Sequence, residues 1–418
     1  MENISFFILS IISILLGALL FANKRLSILG FYSFLIVLPT SNLFNSFLSI
    51  SGVFFYDFYF LILFSYFIIT IVIKERIGKT SLISLTILFS FIVLYGFVFL
   101  YKGAIIDKYL LRDFRPFLTL IYSMLILTFI NNNFVYVKKK ILTINNFLSV
   151  LIFAFFFKIV ISFIIMLYPS SFTSDIYYNE QSSRYIDATS FIAALFLVSL
   201  FSIDRRMINV NKFLLAICMS FSFMILIISN SRTLLAITLF LVLFGGNLKV
   251  YKKIIFATFL GGVTYFYVNY FGISRILSID VLTSLTTRYA PAINKIGEMS
   301  IIEIFFGYGF RTFFEIPWFG YRGLDSYLNS IDSMYLTFFV KYGICSIFLI
   351  VLFLKLITKN ITDKKHRFLI ISFFLLIFLT YSPLYQSYAI IYVFYLILLP
   401  IILEVKNKED IYKEMKSK

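Results

Sequence analysis

The chain has 418 residues, 61% of them hydrophobic and 14% charged, with a mean hydropathy of +0.96 and a formal net charge of +17. Soluble domains are about half apolar and about a quarter charged, so an ordinary water-soluble enzyme is excluded and most of the chain belongs in lipid. Two cysteines, Cys218 and Cys345, lie inside apolar stretches, and the single histidine, His366, lies in a lysine-rich turn. Disulfide frameworks, thiolate metal clusters and Ser-His catalysis are therefore not expected, and the expected site uses neither metal nor cofactor.

Hydropathy predicts spans near 4–22, 26–42, 52–73, 81–101, 117–131, 147–168, 187–203, 213–229, 233–248, 254–271, 334–357, 368–383 and 387–404. At about 20 residues each they take about 260 residues, leaving loops and no sizeable soluble domain. The expected fold is an all-α integral membrane protein, one polytopic domain over 1–418 with 12 or 13 transmembrane helices. The first stretch lacks a basic leader and a small-residue cleavage site, so it reads as a retained span.

Basic clusters recur on every second connection: Lys24/Arg25, Lys74/Arg76/Lys79, Lys138/Lys139/Lys140, Arg205/Arg206/Lys212, Lys249/Lys252/Lys253, Lys355 to Arg367, and the tail 405–418. These connections hold 24 of the 37 Lys and Arg residues against seven acids, Glu404 at the end of the last span included, so the whole net charge of +17 falls on one face. By the positive-inside rule that face is cytoplasmic, as is the C-terminus. The basic charge thus signals topology, and no nucleic-acid partner is expected.

On the opposite face, 102–116, 169–186 and above all 272–333 are polar connections long enough to carry function. Within the last, 283–306 has helical spacing of Leu285, Ile293, Ile296 and Ile304 after Ser/Thr caps, predicting one helix at the membrane surface.

Three arginines stand at outer span ends: Arg184 after NEQSS, Arg232 in the tight turn ISNSRTLLA, and Arg288 in TTRYAP. Snorkelling to headgroups is one reading. The other is a diphosphate site, because guanidinium forks match phosphate oxygens; the short turn at Arg232, with Asn230 and Ser231 beside it, favours this second reading. Lys158, in mid-span FAFFFKIVISF, must face the bundle interior or a wet cavity, as a phosphate contact or as the partner of a carboxylate such as Asp57 or Asp187. Arg311 adds a further basic candidate in the long loop. Gly307, Tyr308 and Gly309 form a turn that ends the surface helix, and Asp332 and Ser333 then enter the next span. Asp332 reads equally as a helix cap or as a chemical group.

The order SNSRTLLA, Arg288, the Gly-Tyr-Gly turn and the D-S-x-Y-L segment running into Tyr342 and Gly343 resembles the O-antigen polymerase (Wzy-type) and O-antigen ligase superfamily. The likeness covers residues 184 to 350. It implies an integral glycosyltransferase that uses an undecaprenyl-diphosphate-linked glycan as donor and a second such glycan as acceptor, with Arg232 and Arg288 on the donor diphosphate. Arg184, Lys158 and Arg311 complete the expected substrate-binding set, and Asp332 is the expected catalytic residue. The ligase branch has His-Asn where this chain has Asp332 and Ser333, which favours a polysaccharide repeat-unit polymerase over a ligase. The arginine-to-glycine spacings of some polymerases are not reproduced. Membrane lipid, a chain-length regulator and a flippase are the implied partners, whether the polymer is O-antigen of lipopolysaccharide, capsule or exopolysaccharide. A lipid-linked oligosaccharide flippase is the alternative from a different class, although transporters commonly show internal repeats and none is visible.

Overall fold

Long runs of Ile, Leu and Phe leave a backbone removed from water one local way to satisfy its N–H and C=O groups, the α-helix, and helices dominate this computed structural model. Described are residues 2–21, 49–50, 53–74, 79–101, 108–132, 144–167, 188–202, 211–229, 231–245, 281–316 and 327–386, with isolated positions between 251 and 265 and between 389 and 399. The helices are α1 (Glu2–Ala18), α2 (Phe55–Lys74), α3 (Lys79–Tyr101), α4 (Lys108–Asn132), α5 (Ile144–Leu167), α6 (Ala188–Ser202), α7 (Lys212–Ile228) and α8 (Arg232–Phe240), the last continued by a π-turn at Leu241–Gly245. Then follow α9 (Val281–Gly297), α10 (Ile301–Phe306), α11 (Met334–Tyr342), a 3-10 turn (Gly343–Cys345), α12 (Ser346–Thr358) and α13 (Lys364–Thr380). Two short antiparallel ladders, β1 (Ser49–Ile50) with β2 (Val53–Phe54) and β3 (Phe314–Glu315) with β4 (Tyr327–Leu328), close loops.

Three described segments are long and apolar enough to cross a membrane: Leu82–Tyr101, Asn145–Ile164 and Met334–Thr358. The predicted spans at 26–42, 254–271 and 387–404 lie largely outside the described residues, as does the tail 405–418. At the centre stands α6, all of whose 15 residues are buried. A helix apolar on every side needs neighbours on every side, and α7, α8 and α13 supply them. The outer flank of α3 does the opposite, presenting Leu82, Phe89, Phe97 and Leu100 outward. A contiguous apolar exterior of this kind is foreign to soluble monomers.

Two elements differ from expectation. The connection 102–116 is helical from Lys108 onward, so α4 starts well before the predicted span and contains Pro116. Its charges read as loop because they are polar, but Asp113 and Arg115 are buried and paired within the protein. The surface helix over 283–306 is two helices. The break at Glu298 and Met299 precedes Ser300, which caps α10 in a reciprocal box with Glu303 and thereby starts a new helix.

The Gly-Tyr-Gly turn is fixed by backbone contact with the end of α11. The Tyr308 N–H donates to Val340 O at 2.9 Å and the Gly309 N–H to Lys341 O at 2.8 Å. Gly307 (φ 70) would place a Cβ 2.2 Å from the Lys341 carbonyl carbon, and Gly343 (φ 57) would place one 2.4 Å from that of Phe305. Backbone meets backbone on both sides, so neither strain nor clash can be relieved by a side chain moving. Gly307→Ala and Gly343→Ala should each cost at least about 2 kcal/mol, whereas Gly96→Ala, with nothing near its added methyl, should be neutral or slightly stabilising. Thermal unfolding of the three variants in detergent checks this; equal losses would refute the interlock.

Candidate functional site

Three candidate residues far apart in sequence meet at the C-terminal end of α13. The last carbonyls of a helix lack partners within it, and side chains from other elements satisfy them here. Tyr289, next to Arg288 on α9, donates to Leu379 O at 2.7 Å and the Ser333 hydroxyl to Phe378 O at 3.5 Å, while one turn earlier the Tyr335 hydroxyl of α11 donates to Leu375 O at 3.0 Å. Just beyond, Tyr381 is hydrogen-bonded to Ser231, the residue preceding Arg232, and Ser382 donates to the Ile331 carbonyl, the residue preceding Asp332. The backbone positions of Arg232, Arg288 and Asp332 thus surround residues 375–382. The side chain of Arg232 and all of Arg184 lie outside the described residues.

Arg288 and Asp332 form an ion pair, Nη1 to Oδ2 2.8 Å, with side chains 27% and 49% exposed. The capping role falls to Ser333, whose hydroxyl accepts from the Leu336 N–H. That leaves the Asp332 carboxylate facing Arg288 at the surface. Burial, with the Asp332 carboxylate adding and Arg288 opposing, holds the Tyr289 phenol above its ordinary range, so it remains a donor to α13. Ser231 caps α8 by accepting from Leu234 N. The capped N-termini of α8 and α11 are thus both tied to the residues just after α13, through Tyr381 and Ser382, and helix N-termini favour anions.

A second cluster, which sequence reasoning missed, lies deeper. Lys341 Nζ stands 2.6 Å from Asp113 Oδ1, both side chains 0% exposed. The same carboxylate accepts from the Arg311 backbone N–H at 2.6 Å and from Asn329 Nδ2 at 3.0 Å. Lys341 also lies 5.4 Å from the centroid of the Tyr385 ring. Asp113 so binds residues 311 and 329, which flank the β3–β4 hairpin on either side, to α4 and α11. Arg311, expected on substrate phosphate, is held by its backbone in a left-handed conformation (φ 64), with its guanidinium 5.8 Å from the Phe313 ring centroid. The mid-span charge that flagged Lys158 applied equally to Lys341 in FFVKYG, seven residues into its span, and was the available signal.

Lys158 is buried within α5. Of its two expected carboxylate partners, Asp57 is engaged by Arg115 at 3.4 Å and by the Phe54 N–H at 2.8 Å, while Asp187 lies outside the described residues. Trp318 and Tyr321 of the long loop also lie outside them. Among the described residues no group of three or more His, Cys, Asp or Glu side chains is placed to hold a metal ion.

The fold and the site define a helical protein with segments of membrane-crossing length and a charged cluster at one end of its helices. Residues 25–408 match the family of unknown function DUF6369, and the chain belongs to that family. No curated protein and no solved structure matches it.

Proposed function

We propose that this protein is a polysaccharide repeat-unit polymerase of the bacterial cytoplasmic membrane, joining undecaprenyl-diphosphate-linked glycans at the outer face. The observation carrying this reading is the convergence of Arg288, Asp332 and the start of the Arg232 helix around the end of α13. Diphosphate is already a good leaving group, so the site must chiefly stabilise charge as the bond breaks. Arg288 and Arg232, with the N-termini of α8 and α11, supply positive potential for it. In this reading the acceptor hydroxyl oxygen attacks the donor sugar C1, and the C1–O bond breaks with its electron pair passing to the diphosphate. The hydroxyl proton passes to the Asp332 carboxylate, and a single displacement inverts the anomeric centre. The Arg288–Asp332 pair then has a purpose in the empty enzyme: each neutralises the other until diphosphate competes for the guanidinium.

Purified protein given lipid-linked repeat units and no nucleotide sugar should make longer lipid-linked glycans and release undecaprenyl diphosphate, with EDTA having little effect. Chain growth only on a lipid A-core acceptor would make it a ligase, and lipid movement without chain growth would make it a flippase. The polymerase reading also requires the 272–333 loop outside the cell and the 359–367 turn inside. An impermeant maleimide on intact cells or spheroplasts should modify Glu298→Cys and miss Thr362→Cys. Labelling with the opposite preference would overturn the orientation.

A further inference from the structure

The short helix α10 has an apolar face that no described residue covers. Ile301, Ile302, Phe305 and Phe306 fall on one side of it, and Ile301 and Ile302 are 76% and 72% exposed. Its depth can be read on two neighbouring helices. The Tyr95 hydroxyl of α3 donates to Phe306 O at 2.8 Å and lies 3.1 Å from Tyr342 O. The segment Leu82–Tyr101 is 20 residues long, about one hydrocarbon thickness at 1.5 Å per residue, so Tyr95 lies about 9 Å inside its outer end. On α11 the turn after α10 meets the Lys341 carbonyl, seven residues from Met334 and thus about 10 Å from the start of that span.

Both rulers put the end of α10 at the same level below the helix ends. The turn that follows α10 also approaches α3, where Gly309 lies close to Val98 on the helix whose flank presents Phe97 and Leu100 outward. We infer that α10 and the Gly-Tyr-Gly turn form a re-entrant segment that dips into the outer leaflet, with Ile301, Ile302, Phe305 and Phe306 against lipid acyl chains. Non-helical backbone is tolerated at that depth only when the protein satisfies its polar groups, and here it does. The N–H groups of Gly307, Tyr308 and Gly309 donate to Glu303, Val340 and Lys341 carbonyls, and the Arg311 N–H donates to Asp113. The one charge on α10, Glu303, is near its outer end and accepts from the Ser300 N–H and hydroxyl at 2.8 Å each. Ser300, Glu303 and the turn thus form a descending segment sewn to α3 and α11.

This inference rests on the membrane reading above but not on the polymerase chemistry. Spin labels at Ile302→Cys and Phe305→Cys, in a full-length chain carrying Cys218→Ala and Cys345→Ala and reconstituted in phospholipid vesicles, test it. Both sites are on the open face, so substitution leaves the packing of α10 intact. Collision rates with oxygen should exceed those with a water-soluble nickel complex several-fold at both positions, matching Phe97→Cys and opposite to Glu298→Cys. Nickel-dominated collisions at 302 and 305 would make α10 an aqueous loop, and low collision rates with both reagents would mean that protein covers it; either overturns the inference while leaving the membrane reading in place. If Phe97→Cys were itself nickel-accessible, the membrane reading would fail and the inference with it.

Discussion

Asp113→Ala should be among the most damaging single substitutions in the described structure. It removes the carboxylate that Lys341 faces in a site with no exposure to solvent, together with the acceptor for Arg311 N–H and Asn329 Nδ2. Breaking a buried pair by deleting one partner costs about 3–5 kcal/mol, because the remaining charge is left without compensation. Lys341→Met should cost less, since Asp113 keeps two donors and the methionine stem fills much of the lysine volume. The double variant Asp113→Asn/Lys341→Met should be more stable than the Asp113→Asn single, with a coupling of about 2 kcal/mol. Unfolding midpoints and folded yield in detergent give the cycle. Additive losses would show that the two residues do not act as a pair.

The asymmetry between these clusters also explains what the sequence disclosed. Hydropathy and lysine placement suffice to locate helices such as α3, α5 and α7, because apolar length is a property of the local chain. Periodicity likewise found the amphipathic α9, but not its separation from α10, which turns on the reciprocal Ser300 and Glu303 cap. The charged run before Pro116 was read as a loop because polarity in a local window cannot distinguish solvated charges from charges paired across the fold. Asp113 finds its partner at position 341, and Arg115 finds Asp57, separations that no local pattern encodes. The same limit applies to Asp332. Its position before a span made capping and chemistry equally legible, and only the fold shows that Ser333 is the cap and that Asp332 pairs with Arg288 at 2.8 Å. The glycine motif was visible in sequence as a turn, but its reason is the contact of two backbones, at Gly307 and Gly343.

On the proposed polymerase reading, replacement of Arg288 should impair chain growth while leaving the protein folded. The Arg288–Asp332 pair is partly exposed, and pairs of that kind contribute below about 1 kcal/mol to stability, so loss of activity in a variant of normal yield reports on the site and not on the fold. Arg288→Ala should reduce polymerisation by at least about 100-fold, on the scale of removing a preorganised charge stabiliser. Arg288→Lys should retain part of it, because the charge survives and the fork is lost. Arg232→Ala and Arg232→Lys should follow the same order. Asp332→Asn discriminates between two roles for the carboxylate. A proton acceptor for the sugar hydroxyl predicts a turnover loss of about 100-fold or more with donor binding retained. A group that merely neutralises Arg288 in the empty enzyme predicts the reverse, tighter donor binding and nearly unchanged turnover, because the guanidinium would be released to the diphosphate. Ser333 caps α11 in either case, so the Asn variant does not disturb the helix start. Measuring donor affinity and single-turnover rate on the same preparations separates these outcomes, and long chains made at normal rates by the alanine variants of both arginines would refute the assignment of the diphosphate site.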